Sequence, residues 1–309
     1  MNRLAVVILT HNEALHICRA LDHLAAIASE VFLIDSGSTD GTIAIAEARG
    51  ATVLRNPWTN YAQQFQWGLD NAPITAYWVM RLDADEVIEP DLAADIAVRL
   101  DRLPASITGV NLKRKHIFMD RWIHHGGRYP LTLLRIWRRG TARIEQRWMD
   151  EHMLLTEGTA VTFDGGFADH NLNDLTFFTD KHNKYATREA IDALNQKYGL
   201  FARDEALDER SASAAASGKR WIKEAVYNRL PFWVGPLGYF LYRYIIQLGF
   251  LDGREGLIYH GLQGGWYRFL VAAKIVEFDR VLSRLGSGPE RQAALEALTG
   301  YRLADAPPT

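Results

Sequence analysis

Cysteine is nearly absent from this 309-residue chain: Cys18 is the only one. An intrachain disulfide is thereby excluded, which suits a reducing compartment. Cys18 falls inside a predicted helix, where a small core residue is expected rather than a nucleophile. Strong net charge is missing too. Lys and Arg number 35 against 37 Asp and Glu, a formal charge of −2, so no global field draws the chain to nucleic acid. The opening MNRLAVVILT has no charged region ahead of a long apolar run and a small-residue cleavage site. It reads as a strand rather than a secretory leader. No internal repeat is present. Glycine is missing where a dinucleotide enzyme needs it. After the first apolar strand comes Thr10-His11-Asn12-Glu13 instead of G-x-G-x-x-G, so a pyrophosphate finds no glycine cradle.

What is present is a globular composition, 48% hydrophobic and 23% charged, on a length that suits one large domain or two smaller ones. Residues 4–10 form a continuous apolar run, the pattern of a strand covered on both faces. Helical periodicity follows over 13–27, then an apolar strand over 31–34, a Gly/Ser/Thr/Asp loop over 35–41 and a helix over 43–49. A short strand at 51–54, a helix at 62–71 and a strand at 76–82 complete an alternation that predicts a mostly parallel, doubly wound sheet. A helix is expected over 92–103, with strands at 109–112, 132–137 and 153–156. From about residue 175 the pattern is helical, so the chain divides into a catalytic domain over 1–175 and a helical region over 176–309. SASAAASG, residues 211–218, reads as a flexible linker or loop.

Open α/β sheets bind ligands beyond the C-terminal ends of their strands. Three polar clusters land there: Thr10-His11-Asn12-Glu13, Asp35 with its glycine-containing loop, and Asp83-x-Asp85-Glu86. Each alone has a plain structural reading as a helix cap, a turn or a solvated loop; three together at the ends of buried strands are more specific. Adjacent carboxylates repel, and a divalent cation removes the repulsion. Mg²⁺ commonly takes one or two carboxylates together with substrate phosphates, so Asp83 and Asp85 read as a site for Mg²⁺ or Mn²⁺ that also carries a diphosphate. Glu86 is expected to assist from behind, and Glu89 to be the solvated entry to the next helix.

The stretches VVILTHNE, LIDSGSTDGT and RLDADE resemble the nucleotide-sugar half of family 2 glycosyltransferases of the GT-A fold. KRKHIFMDRWIHHGGRYP, MDEH, KHNKYATREA and GFLDGREGL narrow the resemblance to a bacterial subgroup that includes lipopolysaccharide core β-glucosyltransferases. The likeness implies that Thr10, Asn12 and Glu13 line the nucleoside pocket. Asp35 would hydrogen-bond uracil or ribose, although Ser36 replaces the second Asp of the Asp-Asp-Gly-Ser common in relatives. Asp83 and Asp85 would serve ribose and metal, and His170 is implied as a third metal ligand. Enzymes of this family invert, which requires one general base for the acceptor hydroxyl. Glu151 is the expected base, with Asp150 second; an acidic helix cap is the structural alternative.

Between 111 and 147 ten Lys/Arg face only Asp120 and Glu145, a local excess of +8. Arginine forks suit phosphates, so this belt, with Arg114, His125 and Arg128 as contacts, is the expected acceptor side for a phosphorylated lipid or saccharide. His124 and His125 with Gly126-Gly127 read as a loop on that side. Residues 230–251 are the most apolar stretch, but Pro231, Gly235, Pro236, Gly238 and Gly249 interrupt it. An interfacial segment or a buried hairpin is expected rather than a membrane span. Basic and aromatic residues over 219–280 suit the inner face of an anionic membrane, which places the protein in the cytoplasm and peripheral to that membrane.

The resulting expectation is a hexose transfer from a UDP-sugar, with glucose favoured, to a lipid-linked or lipopolysaccharide-core acceptor. A haloacid-dehalogenase-like phosphatase would need its Asp pair on the first strand and a Thr where Val87 stands. A sugar nucleotidyltransferase would need a Gly-rich, Lys-bearing first loop. A non-catalytic membrane scaffold with a decayed transferase fold would not need Asp83, Asp85 and Glu151 intact.

Overall fold

The computed structural model describes residues 4–145, 151–201 and 232–303. They divide into two compact units, one of residues 4–145 with 151–172 and the other beginning at Asn173. The first unit starts with a parallel array: β1 (Leu4–Thr10), β2 (Glu30–Asp35), β3 (Thr52–Arg55) and β4 (Trp78–Asp83) lie in the order β3-β2-β1-β4. Its helices are α1 (Ile17–Leu24), α2 (Thr42–Ala48), α3 (Tyr61–Asn71) and α4 (Pro90–Arg99). Alternation along β1 sorts the core. Leu4, Val6 and Ile8 pack with Ile17, Leu21, Leu24 and Leu92 on one face, while Ala5 and Val7 pack with Ala62 and Phe65 on the other. A strand buried on both faces needs the unbroken apolar run that β1 has.

Beyond β4 the sheet stops being parallel. The remaining strands are β5 (Glu86–Ile88), β6 (Ile107–Phe118), β7 (Arg121–Ile123), β8 (Leu131–Arg138), β9 (Ala142–Ile144), β10 (Met153–Leu155) and β11 (Thr159–His170). The order continues β4-β8-β6-β11-β5, with β8 antiparallel to both β4 and β6, and β5 antiparallel to β11. The expected mostly parallel sheet is therefore corrected to a mixed nine-stranded one, because the chain turns back through hairpins after α4 instead of through helices.

Strand β11, as long as β6, carries Gly165-Gly166 and a register shift against it between Thr162 and Gly166. A Cβ on Gly165 would collide with the backbone of Leu92, so glycine is what lets α4 lie directly on the bulge. Asp95 of α4 accepts from the Asp164 and Gly165 amides at 3.1 and 3.0 Å, satisfying the donors that the bulge frees.

The second unit is helical in its described part. Helix α5 (Leu175–Tyr198) starts at Asp174, whose side chain accepts the Phe177 amide, and ends at the left-handed Gly199. Its Ala190, Ile191 and Leu194 pack with Phe278, Leu282, Leu295 and Leu303. Arg243, 3% exposed, donates to Gln263 at 2.6 Å and faces the rings of Tyr239 and Tyr259. Among the described residues no helix is long and apolar enough to cross a membrane. The 211–218 stretch lies outside the described residues.

Candidate active site

The site is built where β1 meets β2 on one side and β4 on the other, the point at which the strand order reverses. Register brings Thr10 level with Asp35, and Leu9 level with Asp83, so the polar ends of three strands share one edge. Asn12 follows β1 at φ 58°, a left-handed conformation that asparagine tolerates. That turn aims its amide at Ser38 Oγ (2.8 Å) and lets its side chain accept the Thr39 amide (2.8 Å). The Glu13 amide donates to Thr42 Oγ1 at 2.7 Å. The loops after β1 and β2 are thus stitched together by side chains. The Leu172 amide donates to His16 Nε2 at 3.0 Å, which leaves Nδ1 to donate its proton to Glu13 Oε2 at 2.7 Å.

Asp35 is fully buried. Its carboxylate accepts from the Gly37 and Ser38 amides, both at 2.9 Å, from Ser38 Oγ at 2.5 Å and from Thr10 Oγ1 at 3.0 Å. Four donors fill the acceptor positions of a carboxylate. Burial works against its charge, but the Ser38, Gly37 and Thr10 hydrogen bonds outweigh it and hold the group below the usual carboxylate range. Asp35 thus shapes the loop, and its partner Thr10 is buried with it.

At the end of β4 the carboxylates sit among buried cations. Asp83 Oδ1 accepts the Tyr61 hydroxyl at 2.5 Å and lies 3.8 Å from Arg81, while its Oδ2 lies 3.7 Å from Arg135. Burial disfavours its charge, but Arg81, Arg135 and the Tyr61 hydroxyl hold Asp83 below the ordinary value. Glu86, 1% exposed, accepts from the Asp83 amide at 2.9 Å and from Arg135 at 2.7 Å. Burial, opposed by Arg135 and reinforced by Asp83 and Asp169, pushes it up to about 8. Glu89, expected in solvent, instead pairs with Lys115.

Asp85 stands in the turn between β4 and β5 and accepts from Asn171 at 2.8 Å. His170 ends β11 beside that turn: its amide donates to the Asp85 carbonyl at 3.0 Å. Its ring is bound elsewhere, with Nδ1 accepting from Arg19 at 3.0 Å and Nε2 3.2 Å from Asp120. Among the described residues no three His, Cys, Asp or Glu form a group that could hold a metal ion. Both ring nitrogens of His170 have these protein partners here, so its expected place beside Asp83 and Asp85 as a third ligand stays a proposal.

Glu151 lies half-buried just before β10, in extended chain rather than at a helix start, and its carbonyl accepts from Arg81 at 3.0 Å. Asp150 is outside the described residues. Strand β7 leads into a turn through Gly126 (φ 66°) and Gly127 (φ 68°), where Trp122, His124, His125 and Tyr129 pack ring on ring. The Arg128 amide donates to the His125 carbonyl. Much of the basic belt is engaged internally. Lys113 pairs with Asp164, Arg114 with Asp169 and Arg135 with Glu86, while Arg138 donates to the carbonyls of Leu103, Pro104 and Ile107. The excess of +8 therefore overstates the positive surface.

Tyr61, Arg81 and Arg135 do not stand out by motif, yet they frame Asp83. A signal was there: Arg81 and Arg135 each interrupt an apolar strand, and a cation on a buried strand must find an anion.

Residues 5–167 match the sequence profile of the family described as glycosyl transferase family 2. An uncharacterized glycosyltransferase of Rickettsia felis is 38% identical over 31% of this chain and 33% of its own, so the match spans about a third of that relative. The lipopolysaccharide core biosynthesis glycosyltransferase LpsC of Rhizobium meliloti is 26% identical over 91% of this chain and 94% of its own. Among solved structures, glucosyl-3-phosphoglycerate synthase of Mycobacterium tuberculosis overlays 37% of this chain and 44% of its own with 23% identity and a TM-score of 0.29, a likeness too slight to carry an argument.

Proposed function

The chain belongs to glycosyltransferase family 2, and on that premise we propose that it is an inverting hexosyltransferase that moves a hexose, glucose favoured, from UDP to a lipid-linked or lipopolysaccharide-core saccharide. The observation that carries the reading is the edge formed by β1, β2 and β4, where the Asp83-x-Asp85 turn faces stitched loops and Arg81 ties the strand to Glu151. The relative named for lipopolysaccharide core biosynthesis aligns over nearly the whole chain and supports the acceptor class.

The side chains of Asp83 and Asp85 offer hard oxygen donors that fit Mg²⁺ or Mn²⁺, and a cation that arrives with a diphosphate does not need a third protein ligand. Bound there, it supplies Lewis acidity for the departing diphosphate. Asn12 and Glu13 flank the nucleoside position, and Asp35 with Thr10 keeps the loop beside it in shape. Glu151 accepts the proton of the acceptor hydroxyl as that oxygen attacks the anomeric carbon from the face opposite UDP. The bond to the diphosphate oxygen breaks with inversion, and UDP leaves. Arg114, His125 and Arg128 serve the acceptor. In the second unit Leu241, Tyr242, Ile245, Ile246, Leu248 and Phe250 are exposed, a face suited to the inner surface of the cytoplasmic membrane.

Calorimetry with UDP and UDP-glucose, with and without Mn²⁺, tests the reading. Tighter UDP binding with Mn²⁺, lost in Asp85→Asn, is the expected result. Equal affinity with and without Mn²⁺ in the unmodified protein defeats the metal-assisted site.

A further inference from the structure

Arg81 sits in the middle of the site without a role in the reaction just described. Its neighbours on β4, Met80 and Leu82, are buried and apolar, as a central strand requires. Burying a cation between them is costly unless something fixed answers it. Three contacts do. The guanidinium lies 4.4 Å from the centre of the Tyr61 ring and 5.6 Å from that of Phe65, so its plane is held between α3 and the strand. Its Nε stands 3.8 Å from Asp83 Oδ1, the oxygen that also accepts the Tyr61 hydroxyl at 2.5 Å. Its Nη1 donates to the Glu151 carbonyl at 3.0 Å. One rigid side chain therefore touches the donor-holding carboxylate and the backbone of the residue 70 positions later that takes the acceptor proton.

We propose that Arg81 is a positioning residue, a strut that sets the distance between Asp83 and Glu151 and so between the donor and the general base. The proposal rests on the transferase reading above. Glu151 itself is in neither a helix nor a strand, and the bond from Arg81 anchors its main chain. A base displaced by about 1 Å costs on the order of 100-fold in rate. Lysine cannot replace the guanidinium, because an ammonium lacks the flat group that lies against Tyr61 and Phe65 while one nitrogen donates to the Glu151 carbonyl and another faces Asp83.

The test compares the wild type with Arg81→Met and Arg81→Lys. Three quantities are measured: UDP affinity with Mn²⁺, slow hydrolysis of UDP-glucose without acceptor, and glucose transfer to a glycolipid extract from a strain lacking the gene. The expected pattern is a split. Transfer kcat falls about 100-fold in Arg81→Met and about tenfold in Arg81→Lys, while UDP affinity and the KM for UDP-glucose stay within about threefold, a change of less than ~1 kcal/mol. Loss of UDP binding in step with transfer would make Arg81 part of the donor pocket and overturn the strut. Unchanged transfer in Arg81→Met would overturn it as well. If Arg81→Met does not fold, Arg81→Lys carries the same split on its own, and equal kcat in that variant and the wild type rejects the proposal. A wild type that neither binds UDP nor transfers glucose defeats the transferase reading, an outcome separable from intact transfer in the variants.

Discussion

The two units differ most in an ionic network at a strand edge and in a run of exposed apolar side chains. The first buries charge: Arg81, Asp83, Glu86 and Arg135 lie beneath the strand ends, each answered by another, in a sheet whose apolar residues face inward on both sides. The second leaves apolar groups outside. Ile246 is 69% exposed, and Trp233, Leu237, Tyr242, Ile245 and Leu251 are each close to half exposed. A buried ionic network adds little stability, because desolvation offsets most of its attraction, so its presence argues for chemistry. Exposed aromatic and aliphatic side chains in a cluster argue for a surface they are meant to meet. On the proposed reading the first unit performs the reaction and the second brings it to its substrate, so variants in each should move different measurements.

The largest effect is expected in the first unit. Glu151→Gln keeps the shape of the side chain and removes its basicity, so transfer should fall by about 10²–10⁴ while UDP binding by calorimetry holds. Retained turnover would pass the base role to another group. Next comes Asp35→Ala, which strands the Ser38 and Gly37 amides and the Thr10 hydroxyl inside the loop. A loss of about 1–3 kcal/mol in denaturant unfolding is expected, with weaker UDP binding in the folded fraction. If stability is unchanged and only UDP affinity drops, Asp35 meets the nucleoside directly after all.

How much of this was legible beforehand differs between the same two regions. The parallel half of the sheet could be read because β1 and β2 carry unbroken apolar runs, β4 one broken only by Arg81, and all three end in polar clusters. The hairpin half could not be read in full. Strand β11 has two glycines and an aspartate in its middle, where the pattern says turn. It is a strand because α4 packs on the bulge and Asp95 satisfies the freed amides. Asp83 and Asp85 were visible from their spacing. Tyr61 on α3 and Arg135 on β8 reach Asp83 from two other elements, and only the fold brings them to it and to Arg81 of its own strand. Charge counting misled at the basic belt, because a sum over 111–147 does not say that Arg114, Arg135 and Arg138 already have partners.

In the second unit the exposed apolar face gives the next prediction. The double variant Ile245→Ser/Ile246→Ser should bind phosphatidylglycerol vesicles about tenfold more weakly, a loss of ~1.4 kcal/mol and less than two fully buried isoleucines would provide. Hydrolysis of UDP-glucose should not change. Equal vesicle binding would mean that this face meets something other than a bilayer.

The smallest effect tests whether the second unit has any electrostatic dependence of its own. Asp279 accepts from Lys197 at 2.7 Å and from the Tyr198 hydroxyl at 2.6 Å, joining the end of α5 to the helix Tyr267–Leu282. Burial works against the carboxylate's charge, but Lys197 and Tyr198 outweigh it and lower its pKa. Hydrogen bonding to Asp279 raises that of Lys197. A depressed carboxylate contributes stability that is present above its unfolded pKa of about 3.9 and is lost as pH falls through the lower folded value. A raised lysine contributes stability that is present below about 10.4 and is lost as pH rises through its folded value. The pair therefore acts across the whole neutral range, and because the Lys197 side chain is half exposed and that of Asp279 partly so, it contributes less than about 1 kcal/mol. Asp279→Asn should lower the unfolding midpoint slightly at pH 7, and the difference should shrink as pH falls from the unfolded value through the lowered folded one. A difference that persists unchanged through that fall would show that the aspartate acts through packing between the two helices and not through its charge.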